Sequence, residues 1–158
     1  MVQTTSITIR SAASRDLAAI ERLLEANELP LVGVREGVDD FLVAERDGVV
    51  VGVIGLEIYD DQGLLRSAAV DTDERGTGIG AALVGALIEN GRARRLKELV
   101  LLTTTAEHWF PRFGFVTITR DETPAAVRRS AEFKDACPAA ATVMTLALGP
   151  APAGGVAR

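Results

Sequence analysis

Apolar and polar residues recur along the chain with two periods, which together predict an alternation of strands and helices. Ile7–Arg10 alternates between the two residue classes and predicts a short first strand. Ser14 is suited to cap a helix over Arg15–Asn27, where apolar residues recur every three or four positions. Leu29–Asp40 contains one proline and two glycines, so it predicts a loop with a short helical turn.

The next stretch predicts a β-hairpin. Two runs rich in β-branched residues, Phe41–Arg46 and Val49–Tyr59, flank an Asp-Gly pair that is typical of a tight hairpin turn. Gly52 and Gly55 interrupt the second run, and a bulge or a close neighbour would explain them.

The middle of the chain predicts a strand, a helix and a second strand. Asp60–Gly63 is a turn into an apolar strand, Leu64–Val70, and a helix follows over about Gly78–Arg94. Leu99–Thr103 is short, apolar and follows this helix, so we expect it to pair in parallel with Leu64–Val70.

The last third of the chain predicts alternating short elements. We expect a helix over Glu107–Phe113, a strand over Phe115–Thr119, a helix over Pro124–Glu132 and a strand over Thr142–Leu148. The tail over residues 150–158 is rich in Ala, Gly and Pro and predicts disorder.

Composition limits the class of protein. With 158 residues, of which 47% are hydrophobic and 25% charged, the chain predicts one soluble domain. No apolar run has membrane-spanning length, and the net charge of −5 argues against nucleic acid as the main partner. The single cysteine, Cys137, excludes an intramolecular disulfide and suits the cytoplasm. Monomer and homodimer both stay open.

One motif points to an anion site. Arg75-Gly76-Thr77-Gly78-Ile79-Gly80 lies between the strand ending at Val70 and the following helix. Alternating glycines let successive backbone N–H groups face one point, where the helix dipole adds positive character. The Gly-Lys-Ser/Thr of a Walker loop is absent, and G-x-G-x-G is not the spacing of a dinucleotide fingerprint. A diphosphate is the expected ligand.

Arg75, Gly78 and Gly80 meet the pattern R/Q-x-x-G-x-G/A, and here the chain resembles the GNAT superfamily of acetyl-CoA-dependent N-acetyltransferases. The resemblance implies an α/β (α+β) fold: a mixed central sheet of six to seven strands with flanking helices and two splayed parallel strands. It implies one acetyltransferase domain over residues 1–149, acetyl-CoA as co-substrate and no metal.

The same resemblance assigns the residues that bind acetyl-CoA. The pantetheine arm is expected at the backbone of the strand end, where an N–H near Val70 would polarise the thioester oxygen. The expected cofactor-binding residues are Ala68, Ala69, Val70, Arg75, Gly76, Thr77, Gly78, Ile79, Gly80, Ala81, Thr104 and Phe110.

Glu57 is the candidate catalytic base. It lies in an apolar strand next to the cofactor strand, where burial would raise the pKa of a carboxylate toward a useful value. With a tight turn between the strands, Glu57 would face Arg66, so the alternative is a cross-strand ion pair. Arg66 is also suited to bind a carboxylate of the substrate.

The general acid is the departure from the family pattern. Family members often carry F-Y-x-x-x-G-F, with a tyrosine that protonates the thiolate, whereas this chain has Phe110 at the tyrosine position. Water, His108 or Cys137 would then supply the proton, although each of these residues has a simpler structural explanation. Thr103 and His108 are expected near the acceptor substrate.

Longer segments resemble narrower groups. GLEIYDDQGLLRSAAV and SAEFKDACPAAATVMTLAL resemble the small N-acetyltransferases of bacterial arsenic-resistance operons, and TTTAEHWFPRFGF also resembles glutamate N-acetyltransferases. Both imply a small amino-acid-like amine as acceptor, with an arsenic-containing glutamate analogue or glutamate as alternatives. A non-catalytic acetyl-CoA sensor is the further alternative, because the tyrosine is missing.

Overall fold

The computed structural model describes residues 7–130 and 141–149. Within these ranges the chain forms seven strands and three α-helices, joined by loops and short 3₁₀ turns. The strands are β1 (Thr8–Ser11), β2 (Leu42–Arg46), β3 (Val49–Tyr59), β4 (Gln62–Val70), β5 (Glu98–Thr103), β6 (Val116–Ile118) and β7 (Thr142–Ala147). The helices are α1 (Leu17–Ala26), α2 (Val34–Gly37) and α3 (Ile79–Ala93).

The strands form a mixed sheet with the order β1-β2-β3-β4-β5-β7-β6. β4 and β5 pair in parallel, as the sequence predicts, from Gln62 opposite Glu98 to Leu64 opposite Val100. The pairs β1–β2, β2–β3, β5–β7 and β6–β7 are antiparallel. The predicted fold class, a mixed sheet with flanking helices, is therefore confirmed.

The chain divides into two compact units that share β3, β4 and α3. The first comprises Met1–Glu57 and Arg66–Leu87, and the second Ile58–Leu65 and Ile88–Arg158. The prediction of one domain over residues 1–149 stays a prediction. The predicted disordered tail and Cys137 lie outside the described residues.

Close packing explains the two glycines of β3 in the first unit. A Cβ on Gly55 would lie 2.5 Å from the ring of Phe41, and a Cβ on Gly52 would lie 3.0 Å from Ile79 and Leu83 of α3. Gly55 therefore makes room for an aromatic ring, and Gly52 lets the start of α3 approach the sheet. A register shift between Ala44 and Glu45 of β2 shows that the hairpin also contains a bulge.

An ion-pair network fixes the start of α1 and corrects the predicted cap. A 3₁₀ turn over Ser14–Asp16 precedes the helix, and Ser14 does not cap it. Instead, the Asp16 carboxylate accepts hydrogen bonds from the backbone N–H of Ala13 at 2.8 Å and from the Arg10 guanidinium at 2.9 Å. Arg10 also binds Glu45 at 2.7 Å. The hydrogen bonds from Arg10 are the main cause that lowers the pKa of Asp16 to about 2.

We expect Asp16→Asn to remove a pH-dependent part of the folding stability. Because the pKa is lower in the folded chain, Asp16 stabilises it above the ordinary value of 3.8, and this contribution is lost as the pH falls toward 2. The difference corresponds to about 2 kcal/mol. Urea unfolding at neutral and acidic pH measures it, with the exposed Asp39→Asn as control. Equal acid sensitivity of wild type and Asp16→Asn would contradict the assignment.

The second unit contains β5, β7 and β6, and its core includes Leu64, Val100, Val127 and Val143. Two predicted helices are wrong here. Pro124–Glu132 contains only a 3₁₀ turn, Val127–Arg129, within its described part.

Glu107–Phe113 forms a turn and a 3₁₀ segment over Phe110–Phe113 rather than an α-helix. Pro111 explains this difference, because it lacks the N–H that an α-helix would need at that position. Gly114, with φ of 103°, ends the segment as predicted.

Candidate functional site

An open cleft of about 280 Å³ lies in the first unit, where the end of β4 turns into α3. Its wall combines alanines and glycines, four larger apolar residues, one asparagine and two charged residues. The residues that line it are Asn27, Val53, Ala68, Ala69, Val70, Glu74, Arg75, Gly76, Gly78, Ile79, Gly80 and Leu83.

The loop before α3 has the backbone that an anion site needs. Gly76 and Gly78 adopt positive φ angles of 82° and 89°, which favour glycine, and a Cβ on either would meet nothing within 4 Å. At the start of α3, the N–H of Ala82 donates to the carbonyl of Gly78 at 3.0 Å. The N–H groups of the first turn have no acceptor within the helix, and the loop leaves space beside them.

Hydrogen bonds hold the ends of this loop. Asp71 caps the 3₁₀ turn Thr72–Glu74, because its carboxylate accepts the N–H of Asp73 at 2.9 Å. The Thr77 hydroxyl donates to the carbonyl of Glu74 at 2.5 Å. Part of the loop is therefore fixed without a ligand, which lowers the entropy cost of binding one.

Arg75 has a partner that sequence reasoning missed. Its guanidinium donates to the side-chain carbonyl of Asn27 at 2.5 Å, and the Asn27 amide donates to the carbonyl of Leu23 at 2.8 Å. Asn27 lies just after α1, far along the chain from the glycine motif, so no local pattern could link the two. The same holds for Val53 and Leu83, which line the cleft as ordinary core residues.

Glu57 and Arg66 form an ion pair, as one of the two alternatives predicts. Arg66 Nη1 lies 2.7 Å from Glu57 Oε2, and the side chain of Arg66 is fully buried whereas 16% of the Glu57 side chain is exposed. Arg66 Nε donates to the Ser67 hydroxyl at 2.9 Å, and Nη2 to the carbonyl of Pro30 at 3.4 Å. Ser67 has a φ of 59°, an irregularity inside β4 that the sequence did not predict.

The loop between α1 and α2 covers this pair. Gly33 has a φ of 81°, and a Cβ there would lie 3.0 Å from Arg66 Nη1 and 3.2 Å from Glu57 Oε2. Neither Glu57 nor Arg66 lines the cleft. The Arg66 guanidinium contacts the Glu57 carboxylate directly, and the role of Glu57 as a base stays a prediction.

The structure brings together most of the predicted cofactor residues. Ala68, Ala69, Val70, Arg75 and the glycines of the motif line the cleft, together with Ile79. Thr77 and Ala81 belong to the same loop and helix start but do not line it.

The remaining predicted residues belong to the second unit. The Thr103 hydroxyl accepts the N–H of Ala106 at 2.9 Å, which gives it a local structural task, while Thr104 and His108 are exposed. Phe110 is 5% exposed and packs edge-to-face on Trp109 and Phe115, with ring centroids 5.0 and 5.6 Å away. Their roles toward ligands stay predictions.

Over residues 7–130 and 141–149, no group of three or more His, Cys, Asp or Glu side chains is placed to hold a metal ion. No helix of the same ranges is both long and apolar enough to cross a membrane.

The chain is similar to known acetyltransferases in sequence. Residues 37–117 match the acetyltransferase (GNAT) domain family. The chain is 36% identical to an amino-acid acetyltransferase of Mycobacterium tuberculosis over 120 residues, covering 70% of the chain and 68% of the relative. An amino-acid acetyltransferase of Ralstonia nicotianae is 34% identical over 130 residues, covering 77% of the chain but 29% of the relative. The chain thus spans less than a third of that relative's length.

Two solved structures superpose on this chain. Rv2747 of Mycobacterium tuberculosis, solved in complex with CoA, superposes with a TM-score of 0.77 and 32% identity, covering 89% of this chain and 99% of that one. N-acetylglutamate synthase of Neisseria gonorrhoeae, complexed with coenzyme A and N-acetyl-glutamate, has a TM-score of 0.79 and 24% identity. That match covers 93% of this chain and 36% of the synthase, and it shows a shared fold.

Proposed function

The chain belongs to the acetyltransferase (GNAT) domain family, and we propose that it transfers the acetyl group of acetyl-CoA to the amine of a small amino acid. The observation that carries this proposal is the cleft at the glycine loop, where residues from Ala68–Val70 and Arg75–Gly80 line one space. We expect a diphosphate at the loop, and we expect the backbone of β4 beyond Leu64, the last residue paired with β5, to bind an amide-containing arm. The CoA complex of the M. tuberculosis structure supports the same ligand.

Glu57 is the proposed base for the acceptor amine. Its carboxylate is partly exposed, and Arg66 holds it from the buried side. In the proposed reaction the amine gives a proton to Glu57, its nitrogen forms a bond to the acetyl carbon, and the carbon–sulfur bond breaks. The CoA thiolate then takes a proton from water or from another acid near the site, and a backbone N–H near Val70 stabilises the charge on the acetyl oxygen.

An amino acid is the proposed class of acceptor because the curated relatives bear the name amino-acid acetyltransferase. Glutamate is one candidate within this class, and an arsenic-containing glutamate analogue is the second, carried by the segment resemblance alone. Arg66 is a proposed ligand of the acceptor's carboxylate only if the loop at Pro30–Gly33 moves, because that loop and Glu57 now cover its guanidinium.

An amine panel tests the proposal. The protein is incubated with acetyl-CoA and single amino acids, including glutamate and its phosphinic and arsenic analogues, and free thiol is measured over time. We expect acceptor-dependent thiol release and an N-acetylated product by mass spectrometry. Tight acetyl-CoA binding without release for any amine would favour the sensor alternative, and absence of binding would contradict both.

Phe110→Tyr tests the missing acid. If water or another group protonates the thiolate, we expect the turnover number to change less than tenfold, which is under about 1.4 kcal/mol in barrier. The ring is buried among aromatic residues, so Phe115→Tyr serves as a matched control for adding a hydroxyl to this cluster. A gain of several orders of magnitude for Phe110→Tyr alone would show that the natural chain lacks an acid that it needs.

A further inference from the structure

The cleft at the glycine loop contains a carboxylate whose negative charge would repel the proposed diphosphate ligand. Glu74 lines the cleft directly beside Arg75, and Asp71 and Asp73 precede it in the same turn. Over residues 71–78 the chain carries three acidic side chains and one basic side chain. Such a loop on its own would repel a diphosphate at short range, since two like charges raise each other's free energy.

Arg46 opposes this repulsion from another strand. It lies at the end of β2, and its guanidinium makes a two-pronged contact with Glu74: Nε lies 3.2 Å from Oε2, and Nη2 lies 3.2 Å from Oε1. Both side chains are largely buried, with 24% of Arg46 and 19% of Glu74 exposed. Screening by water and salt is weaker for such a pair than for an exposed one.

We propose that Arg46 is a positioning residue of the acetyl-CoA site, which neutralises Glu74 and turns its carboxylate away from the phosphates. Arg75 then supplies the positive side chain of the loop, and Asn27 accepts a hydrogen bond from its guanidinium. Arg46 need not touch the ligand, because its effect passes through the carboxylate that it binds. This inference rests on the proposed binding of acetyl-CoA in the cleft.

The inference predicts opposite signs for the two partners. Arg46→Gln leaves Glu74 charged without this guanidinium, so we expect acetyl-CoA to bind roughly tenfold more weakly. Glu74→Gln removes the opposing charge and leaves Arg46 in place, so affinity should rise severalfold. If the Arg46–Glu74 pair only stabilised the loop, either substitution would instead weaken the binding of acetyl-CoA.

The experiment is titration calorimetry of wild type, both single variants and the double variant with acetyl-CoA, at about 0.05 M and about 0.5 M salt. We expect the double variant to recover most of the affinity lost in Arg46→Gln, and high salt to reduce the loss. Arg10→Gln, which breaks the pairs of Arg10 with Glu45 at 2.7 Å and with Asp16 at 2.9 Å, is the control for losing an arginine that binds carboxylates on the same sheet. Melting temperatures report folding for every variant.

Each outcome decides a different statement. Wild type that does not bind acetyl-CoA overturns the proposed function itself. If wild type binds acetyl-CoA, two results overturn the role of Arg46 alone. One is that Glu74→Gln binds acetyl-CoA more weakly than wild type, and the other is that the double variant binds it no more tightly than Arg46→Gln. A loss in Arg46→Gln that is the same at both salt concentrations also overturns it, because Glu74 would repel the phosphates within an open cleft, where salt screens the repulsion.

Discussion

Glu57→Gln should lower the turnover number by roughly 10²–10⁴-fold, because the amide keeps the shape of the side chain but cannot accept the amine proton. The acidic limb of the pH–rate profile should disappear with it, since that limb reports ionisation of the base. Acetyl-CoA affinity should stay within error, because Glu57 does not line the cleft. Initial rates over a range of pH and calorimetric titration measure the two effects separately.

Glu45→Gln is the matched control, because Glu45 is also a strand carboxylate paired with an arginine, at 2.7 Å from Arg10. Its loss should lower stability without a comparable loss of rate. If Glu57→Gln behaves like this control, the pair with Arg66 is structural. The functional site is then expected among Thr103–Thr105 and His108 instead.

Arg66→Lys separates the two remaining roles of the arginine. Its guanidinium binds Glu57, Ser67 and the carbonyl of Pro30, and one ammonium group cannot replace all three contacts. A rise in the Michaelis constant of the acceptor indicates that Arg66 binds its carboxylate. A fall in the turnover number at unchanged Michaelis constant indicates that Arg66 only orients Glu57.

Gly78→Val should cost most of the affinity for acetyl-CoA while the chain stays folded. Gly78 has a φ of 89°, which a β-branched residue adopts only under strain, so the loop must change its path. The added side chain also occupies the open space beside the N–H groups that should face the diphosphate. Titration calorimetry and circular dichroism measure affinity and fold.

Gly48→Val is the control for strain alone. Gly48 has a φ of 79° in the β2–β3 turn, and a Cβ there also meets nothing within 4 Å, so the backbone cost is similar. We expect a loss of stability in both variants but a loss of affinity only in Gly78→Val. Unchanged affinity in Gly78→Val would remove the glycine loop from the proposed site.

Local patterns predicted the elements whose signals lie within a few residues. The hairpin turn needs two residues with positive φ, and Asp47 and Gly48 have φ of 55° and 79°. The helix α3 and the parallel strand β5 followed from apolar periodicity and element order. Two predicted helices failed: Glu107–Phe113, where Pro111 lacks the N–H that an α-helix needs, and the described part of Pro124–Glu132, which contains a 3₁₀ turn.

The sequence predicted the glycine loop of the candidate site but not the distant residues that contact this loop. The glycine motif carries its own geometry, because the positive φ angles and the helix start are properties of consecutive residues. Asn27 and the ion pair of Arg46 with Glu74 come from distant parts of the chain, and only the packing of α1 and β2 brings them to the loop.

The sequence by itself determined the order of the strands, the long helix after β4, the glycine loop at Arg75–Gly80 and the family to which the chain belongs. Each of these depends on the period, spacing or conformational freedom of residues close together in the chain. The tertiary structure alone decided that Arg66 is buried under Pro30 and Gly33, and that Arg46 binds the carboxylate beside the glycine loop. The free energy of a charge depends on which distant groups surround it, and no local pattern contains that information.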